Sequence, residues 1–95
     1  MNKIFHTLFF ILPLIAGLNL HGQEKEITGE AADYVPGDIV CWNLGGAVTH
    51  IGIVVDRISD DGQRNLVVHN IGGGQVLADC LFDFRIIGHY VYQGK

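Results

Sequence analysis

The sequence has little positive charge. It carries six lysine and arginine residues against ten aspartate and glutamate residues, which gives a net charge of −4 with histidine neutral. No stretch gathers the basic residues into a stripe. Binding to a nucleic acid or to an anionic lipid surface depends on such a stripe, because its charges replace the counterions of the phosphates. The composition therefore predicts no nucleic-acid partner.

The chain also has no apolar run long enough to cross a membrane, which takes about 20 residues. Its longest apolar stretch, Ile4 to Leu18, is shorter and contains Pro13. Lys3 precedes this stretch, and a polar segment that ends in Gly22 follows it. This order is typical of a secretory signal peptide. We therefore predict a signal peptide over residues 1–22, export to the periplasm or beyond, and no stable membrane anchor after cleavage.

Local metal-binding motifs are missing as well. No Cys-x-x-Cys or His-x-x-x-His spacing occurs in the sequence. A metal site would have to combine His50, His69 and His89 with Asp79 or Asp83. Zinc needs three or four ligands at about 2.0–2.3 Å, and nothing in the local spacing brings these side chains together. We predict no metal and no cofactor.

Two cysteines are present, Cys41 and Cys80. An exported chain passes into an oxidising compartment, where the two could form a disulfide. Both also lie in apolar runs, in which a free cysteine behaves as a small buried hydrophobe. The second interpretation, two buried thiols, is favoured.

Helical patterns are scarce, whereas β-branched runs alternate with turn signals. Pro36 and Gly37 form a turn ahead of an apolar strand, and an Asp-Gly pair joins two β-branched runs into a hairpin. We interpret residues 23–33 as a solvated linker ahead of a domain over residues 34–95. The predicted fold is mainly β, a small antiparallel sheet of four or five strands over about residues 39–42, 49–57, 64–70, 76–78 and 86–92.

Two histidines lie on the strands of that hairpin. His50 belongs to the first strand and His69 to the second, so their side chains can meet across the sheet, where paired Cβ atoms are roughly 5 Å apart. Gly52 lies on the same face as His50 and leaves room beside it. We interpret Gly52, Trp42, and Gly73 in the run of three glycines as candidates for lining a substrate groove.

The order of several motifs resembles that of the NlpC-type cell-wall cysteine peptidases, which are papain-like hydrolases. Those enzymes share a Pro-Gly-Asp strand, a His-x-Gly-Ile/Val strand and a following strand that ends in His. More narrowly, the sequence is similar to the uncharacterised family DUF1287 over about residues 34–92. The motifs that carry the two resemblances are Tyr34-Val35-Pro36-Gly37-Asp38-Ile39-Val40, Thr49-His50-Ile51-Gly52-Ile53-Val54, Asp61-Gly62, Leu66-Val67-Val68-His69-Asn70-Ile71-Gly72 and Gly88-His89-Tyr90.

The resemblance implies a Cys-His-polar triad that cleaves amides in the peptide stems of peptidoglycan. In such a triad a thiolate at the start of a helix attacks the amide, a histidine exchanges protons, and a third polar residue orients that histidine. Carried over to this chain, His50 matches the base and His69 the orienting residue. Asn70 is a rival for the orienting role.

The nucleophile of that triad has no evident counterpart. In the resembling enzymes it lies upstream of the sheet, whereas residues 23–33 contain no cysteine, no serine and no helix pattern. Cys41 stands at a strand position that the family fills with an apolar or small residue, and Cys80 lies in an Asp-Cys-Leu-Phe segment. We expect a domain that corresponds to the β half of an α+β papain-like fold and lacks the helical half. Such a domain would be inactive alone, unless a partner chain completes it. The alternatives are a non-catalytic module that binds cell-wall peptide or protein, and the remnant of a truncated gene.

Overall fold

The computed structural model describes residues 22–70 and 72–92. These residues form six β-strands and one turn of 3-10 helix. No helix among them has the length and apolar character needed to cross a membrane. The predicted signal peptide lies outside the described residues, apart from Gly22. The strands are β1 (Gly22–Glu24), β2 (Asp38–Gly45), β3 (Val48–Ile58), β4 (Asn65–Asn70), β5 (Gln75–Ala78) and β6 (Arg85–Tyr92), and the 3-10 turn is Ala31–Asp33.

The six strands form one antiparallel sheet in the order β1-β6-β2-β3-β4-β5. The prediction of a mainly β fold with a small antiparallel sheet is confirmed, with six strands instead of four or five. The additional strand is β1, which pairs with β6. Its three residues are Gly-Gln-Glu, which include no β-branched or aromatic side chain and therefore give no strand signal in the sequence.

The hairpin of β3 and β4 is closed by the predicted Asp-Gly turn. Gly62 has a φ of 75°, a left-handed conformation that glycine adopts without strain. The Ser59 hydroxyl donates to Asp61 Oδ1 at 2.6 Å and accepts from the Arg64 backbone N–H at 3.1 Å. On the strands that this turn connects, Gly52 lies opposite a histidine of β4. The hairpin therefore places the histidines of β3 and β4 on the same face.

The hydrophobic core lies on one face of the sheet, which we call the covered face. Alternate residues of the strands point to it, as expected where one face of a sheet is buried. The connections formed by residues 25–37 and 79–84 lie across this face and contribute Tyr34 and Leu81, both fully buried. Irregular segments therefore cover this face in the described part of the chain. The buried core residues are Tyr34, Val40, Trp42, Val54, Val67, Cys80 and Leu81.

Residues 23–33, for which the sequence predicts a solvated linker, take part in the fold. The Lys25 backbone N–H donates to the carbonyl of His89 in β6 at 2.7 Å. The Tyr34 hydroxyl donates to the Thr28 carbonyl at 2.8 Å, and the Tyr34 ring stacks on His89 with centroids 4.2 Å apart. The partners on β6 are distant in sequence, so local composition could not reveal these contacts.

A buried ionic cluster, which we call the Asp38 cluster, consists of Lys25, Asp38 and His89. Asp38 Oδ2 accepts from Lys25 Nζ and from His89 Nε2, each at 2.7 Å. His89 Nδ1 donates to the Glu26 carbonyl at 2.8 Å. Burial alone would raise the pKa of Asp38, but the hydrogen bonds from Lys25 and His89 hold it below its usual value. The cluster fastens the N-terminal segment to β2 and β6.

Candidate functional site

His50 and His69 meet on the covered face. Gly52 pairs directly with His69, and His50 lies two residues before Gly52 on the same face, so the two histidines are diagonal neighbours. His50 Nε2 and His69 Nδ1 are 3.1 Å apart, and the two rings are nearly perpendicular at 83°. Only 2% of His50 and 7% of His69 are exposed. The two side chains predicted to form a base and its orienting partner therefore share a hydrogen bond.

Trp42 lies beneath this pair. Its indole stacks on His50 with centroids 5.9 Å apart and meets His69 edge-on at 5.8 Å. The indole also occupies the space above Gly52, where an added Cβ would lie 2.8 Å from Cη2 of the ring. Trp42 is fully buried. The structure therefore places Trp42 and Gly52 in the core and not along the open groove for which the sequence suggested them. Gly73, the third groove candidate, lies in the exposed turn between β4 and β5.

The imidazoles of His50 and His69 are both neutral near pH 7. Burial lowers the pKa of His50, and the charge that His69 would carry lowers it further, while burial lowers the pKa of His69. One ring nitrogen therefore donates and the other accepts in the bond between them. This bond engages Nε2 of His50 and fixes the plane of its ring relative to His69. A neutral imidazole held in this way is suited to take up and return a proton.

Acidification from pH 7 is expected to destabilise the fold through this pair. The unfolded chain takes up protons at both histidines near pH 6.5, whereas the folded pair, with lowered pKa values, takes them up at lower pH. The unfolded state therefore binds more protons in that interval, so stability is lost as the pH falls. Urea midpoints between pH 7 and pH 5 measure this loss. The double variant His50→Gln/His69→Gln should show a smaller pH dependence, and an equal dependence would contradict the assignment.

Asn70, the rival orienting residue, has a different role. It follows His69 directly in β4, so its side chain points to the opposite face of the sheet. Its Oδ1 accepts from the backbone N–H groups of Gly72 at 3.2 Å and Gly74 at 3.3 Å. Asn70 thus holds the glycine turn after β4. Between the two candidates, the geometry favours His69 as the partner of His50.

Neither cysteine is an activated thiol. Cys41 pairs with Ile51 while the adjacent Trp42 pairs with His50, so the Cys41 side chain lies on the face opposite His50. Cys80 belongs to the buried core. Burial raises the pKa of each thiol to about 11. Both cysteines are free and buried, which confirms the predicted pair of buried thiols.

Both thiols should react slowly in the folded protein. A pKa of about 11 in place of 9.0 leaves about a hundredfold less thiolate at pH 8. Labelling by a chromogenic disulfide reagent should therefore be at least about a hundredfold slower in the native chain than in the same chain unfolded in urea. Rapid labelling of one native thiol would show that it is accessible and activated.

Two of the other side chains considered as metal ligands, His89 and Asp79, are engaged elsewhere. His89 is bound to Asp38 and to the Glu26 carbonyl, and Asp79 forms a two-point ion pair with Arg64. In the part of the chain that the structure describes, no three His, Cys, Asp or Glu side chains are grouped so that they could hold a metal ion. The Asp38 cluster was not predicted from the sequence. A signal for it was present, because the aspartate of the Pro-Gly-Asp motif directly precedes an apolar strand.

Comparison with known proteins gives a family but no activity. The family described as "Domain of unknown function (DUF1287)" matches residues 12–92. The uncharacterized protein YijF of Escherichia coli (strain K12) is 43% identical over 72 residues, which cover 76% of this chain and 35% of that relative. The chain therefore spans about a third of the length of this curated relative. No solved structure gives a significant match. The extent of these matches confirms the predicted membership, and the chain belongs to the DUF1287 family.

Proposed function

We propose that this chain supplies the histidine half of an NlpC-like cysteine amidase or peptidase site that acts on the stem peptides of peptidoglycan. The observation that carries the proposal is the 3.1 Å contact between His50 Nε2 and His69 Nδ1. It supplies a base and a partner that orients it, two of the three members of the Cys-His-polar triad that the sequence resemblance implies. The proposal includes export to the periplasm or beyond, which rests on the signal-peptide pattern of residues 1–22.

The proposed chemistry assigns one step to each histidine. A thiol transfers its proton to the imidazole of His50, and the thiolate attacks the amide carbonyl. The amine leaves with the proton from His50, and a thioester remains. Water then hydrolyses the thioester and restores the thiol, with His50 again acting as the base. His69 orients the imidazole of His50 through the hydrogen bond between them.

In this proposal the thiol comes from a polypeptide segment other than the described residues. Cys41 lies on the wrong face of the sheet, and Cys80 is buried with its pKa raised to about 11. The E. coli relative extends far beyond the matched part, since the match covers 35% of it. A partner chain or an additional segment of this kind would complete the triad.

The second candidate function is a non-catalytic module that binds the same peptides. The state of the two cysteines favours it. Both thiols are buried and have raised pKa values, so neither supplies a thiolate beside His50. Both candidates require that a stem peptide bind near His50 and His69. They differ in whether an amide bond is cleaved once a thiol is present.

The test has a binding part and a cleavage part. Soluble peptidoglycan fragments that carry the stem peptide are titrated into the nitrogen-15-labelled full chain, and the ring signals of His50 and His69 should shift on binding. An absence of any shift would overturn both candidates. Cleavage is tested in the longer E. coli relative by release of free amine, with its residue aligned to His50 replaced by alanine as the control. Binding without release of amine would show that the function is that of a non-catalytic module that binds stem peptides.

A further inference from the structure

We propose that Trp42 is the positioning residue of the His50–His69 pair: its indole sets the orientation of both imidazoles and thereby the tautomer in which they share a proton. As a role in proton exchange, this inference rests on the function proposed above. Trp42 touches neither the substrate nor the attacking thiol in this scheme. It acts only through the two histidines.

The indole contacts both imidazoles at different angles. It is nearly parallel to His50, with an interplanar angle of 20°, and it meets His69 at 76°. The two imidazoles are therefore nearly perpendicular to each other, as the 83° between their planes shows. Rotation of either imidazole about its bond to Cβ would break its contact with the indole. The angle at which Nε2 of His50 faces Nδ1 of His69 is thus fixed by a third ring.

The indole is itself held at several points. Its Nε1 donates to the Leu81 carbonyl at 2.9 Å in the buried core. An added Cβ at Gly52 would lie 2.8 Å from Cη2 and 3.0 Å from Cζ3 of the indole, so the six-membered ring packs closely against β3 at Gly52. Phe84 meets it with centroids 6.2 Å apart. Through Trp42, the segment of residues 79–84 takes part in the geometry of the histidine pair.

The first test reads the tautomers of His50 and His69 from ring nitrogen-15 NMR of the full chain. Trp42→Phe keeps an aromatic ring at this position but lacks the N–H group that donates to Leu81. We expect one fixed tautomer for each histidine in the natural sequence, and loss of this pattern toward averaged ring signals in Trp42→Phe. Val54→Ala, which removes buried volume from the same core, should leave the pattern unchanged. A folded Trp42→Phe variant with unchanged ring signals would overturn the inference.

A second measurement uses the natural sequence and so does not depend on a variant that folds. Trp42 is the single tryptophan of the chain, and a protonated imidazole in contact with an indole quenches its fluorescence. The fluorescence of Trp42 should therefore change over the same pH interval in which NMR shows His50 and His69 taking up protons, and the double variant His50→Gln/His69→Gln should abolish the change. Fluorescence that stays constant over that interval would also overturn the inference. Neither readout requires peptide, so a failure here is distinct from a failure to bind or cleave stem peptides.

Discussion

Replacing Asp38 by alanine is expected to lower the free energy of unfolding by about 3–5 kcal/mol. Asp38 is fully buried and accepts hydrogen bonds from both Lys25 and His89 at 2.7 Å. Without this carboxylate, the buried His89 ring keeps its polar Nε2 but loses the acceptor, and an unpaired polar group in the interior is costly. In a domain of this size each kcal/mol lowers Tm by roughly 4–8 °C, so the Tm of the variant should fall by roughly 12–40 °C.

Urea unfolding followed by circular dichroism measures this loss, and Asp79→Ala is the matched control. Asp79 also accepts hydrogen bonds from a cation, Arg64, at 2.8 Å and 3.0 Å, but its side chain is 40% exposed. Exposed ion pairs contribute little to stability. The two variants therefore compare ion pairs of similar length that differ in burial. Similar urea midpoints for Asp38→Ala and Asp79→Ala would show that burial of the Asp38 cluster contributes nothing.

The Asp38 cluster also predicts a dependence on acid pH. The folded pKa of Asp38 lies below its unfolded value of 3.8. The stability that its charge contributes is therefore fully present above about pH 3.8 and is lost as the pH falls through the folded pKa. Asp38→Ala should lack this acid-dependent loss, whereas the loss that arises from the histidine pair near pH 6.5 should remain.

Gly52→Ala is expected to lower the free energy of unfolding by about 1–3 kcal/mol. The added Cβ would lie 2.5 Å from Cγ1 of Val67 and 2.8 Å from Cη2 of Trp42. Both neighbours are fully buried, so neither can move aside without disturbing the core. In a tightly packed interior, such an insertion forces side chains out of their preferred rotamers.

Gly73→Ala is the matched control for this substitution. A Cβ at Gly73 would meet nothing within 4 Å, and its backbone is not in the left-handed region. We expect the urea midpoint to change by no more than the equivalent of about 0.5 kcal/mol. A loss of stability in Gly73→Ala as large as that in Gly52→Ala would mean that the effect comes from the backbone and not from contact with the indole.

The strands and the histidine pair could be predicted because their signals are local. The β-branched runs, the Asp-Gly turn and the alternation of faces place His50, Gly52 and His69 on one side of a hairpin without any knowledge of the rest of the chain. The motif resemblance then assigned the orienting role to His69, with Asn70 as a rival. The alternation of faces along β4 already separates these two neighbours, since adjacent residues of a strand point to opposite sides.

The features that escaped prediction depend on contacts between distant parts of the chain. The strand β1 exists only because β6 offers it an edge, and the Asp38 cluster joins Lys25 to His89 across most of the domain. We expected Gly52 to leave space for a ligand, because its sequence position shows only that a side chain is missing. The space is filled by Trp42, on the neighbouring strand. A missing side chain therefore predicts a close approach but not the identity of the group that approaches.

The order of the strands determines when the fold can close during synthesis. The strands β2 to β5 are neighbours in sequence and in the sheet, so each hairpin can form as soon as its second strand has left the ribosome. By contrast, Glu26 meets His89 across 63 residues, and contacts of such separation form late because a long loop must first be closed. The N-terminal segment can therefore pack, and Asp38 can bind His89, only after β6 has been synthesised. Until that last strand emerges, this side of the domain lacks these contacts and is accessible to factors that bind nascent chains.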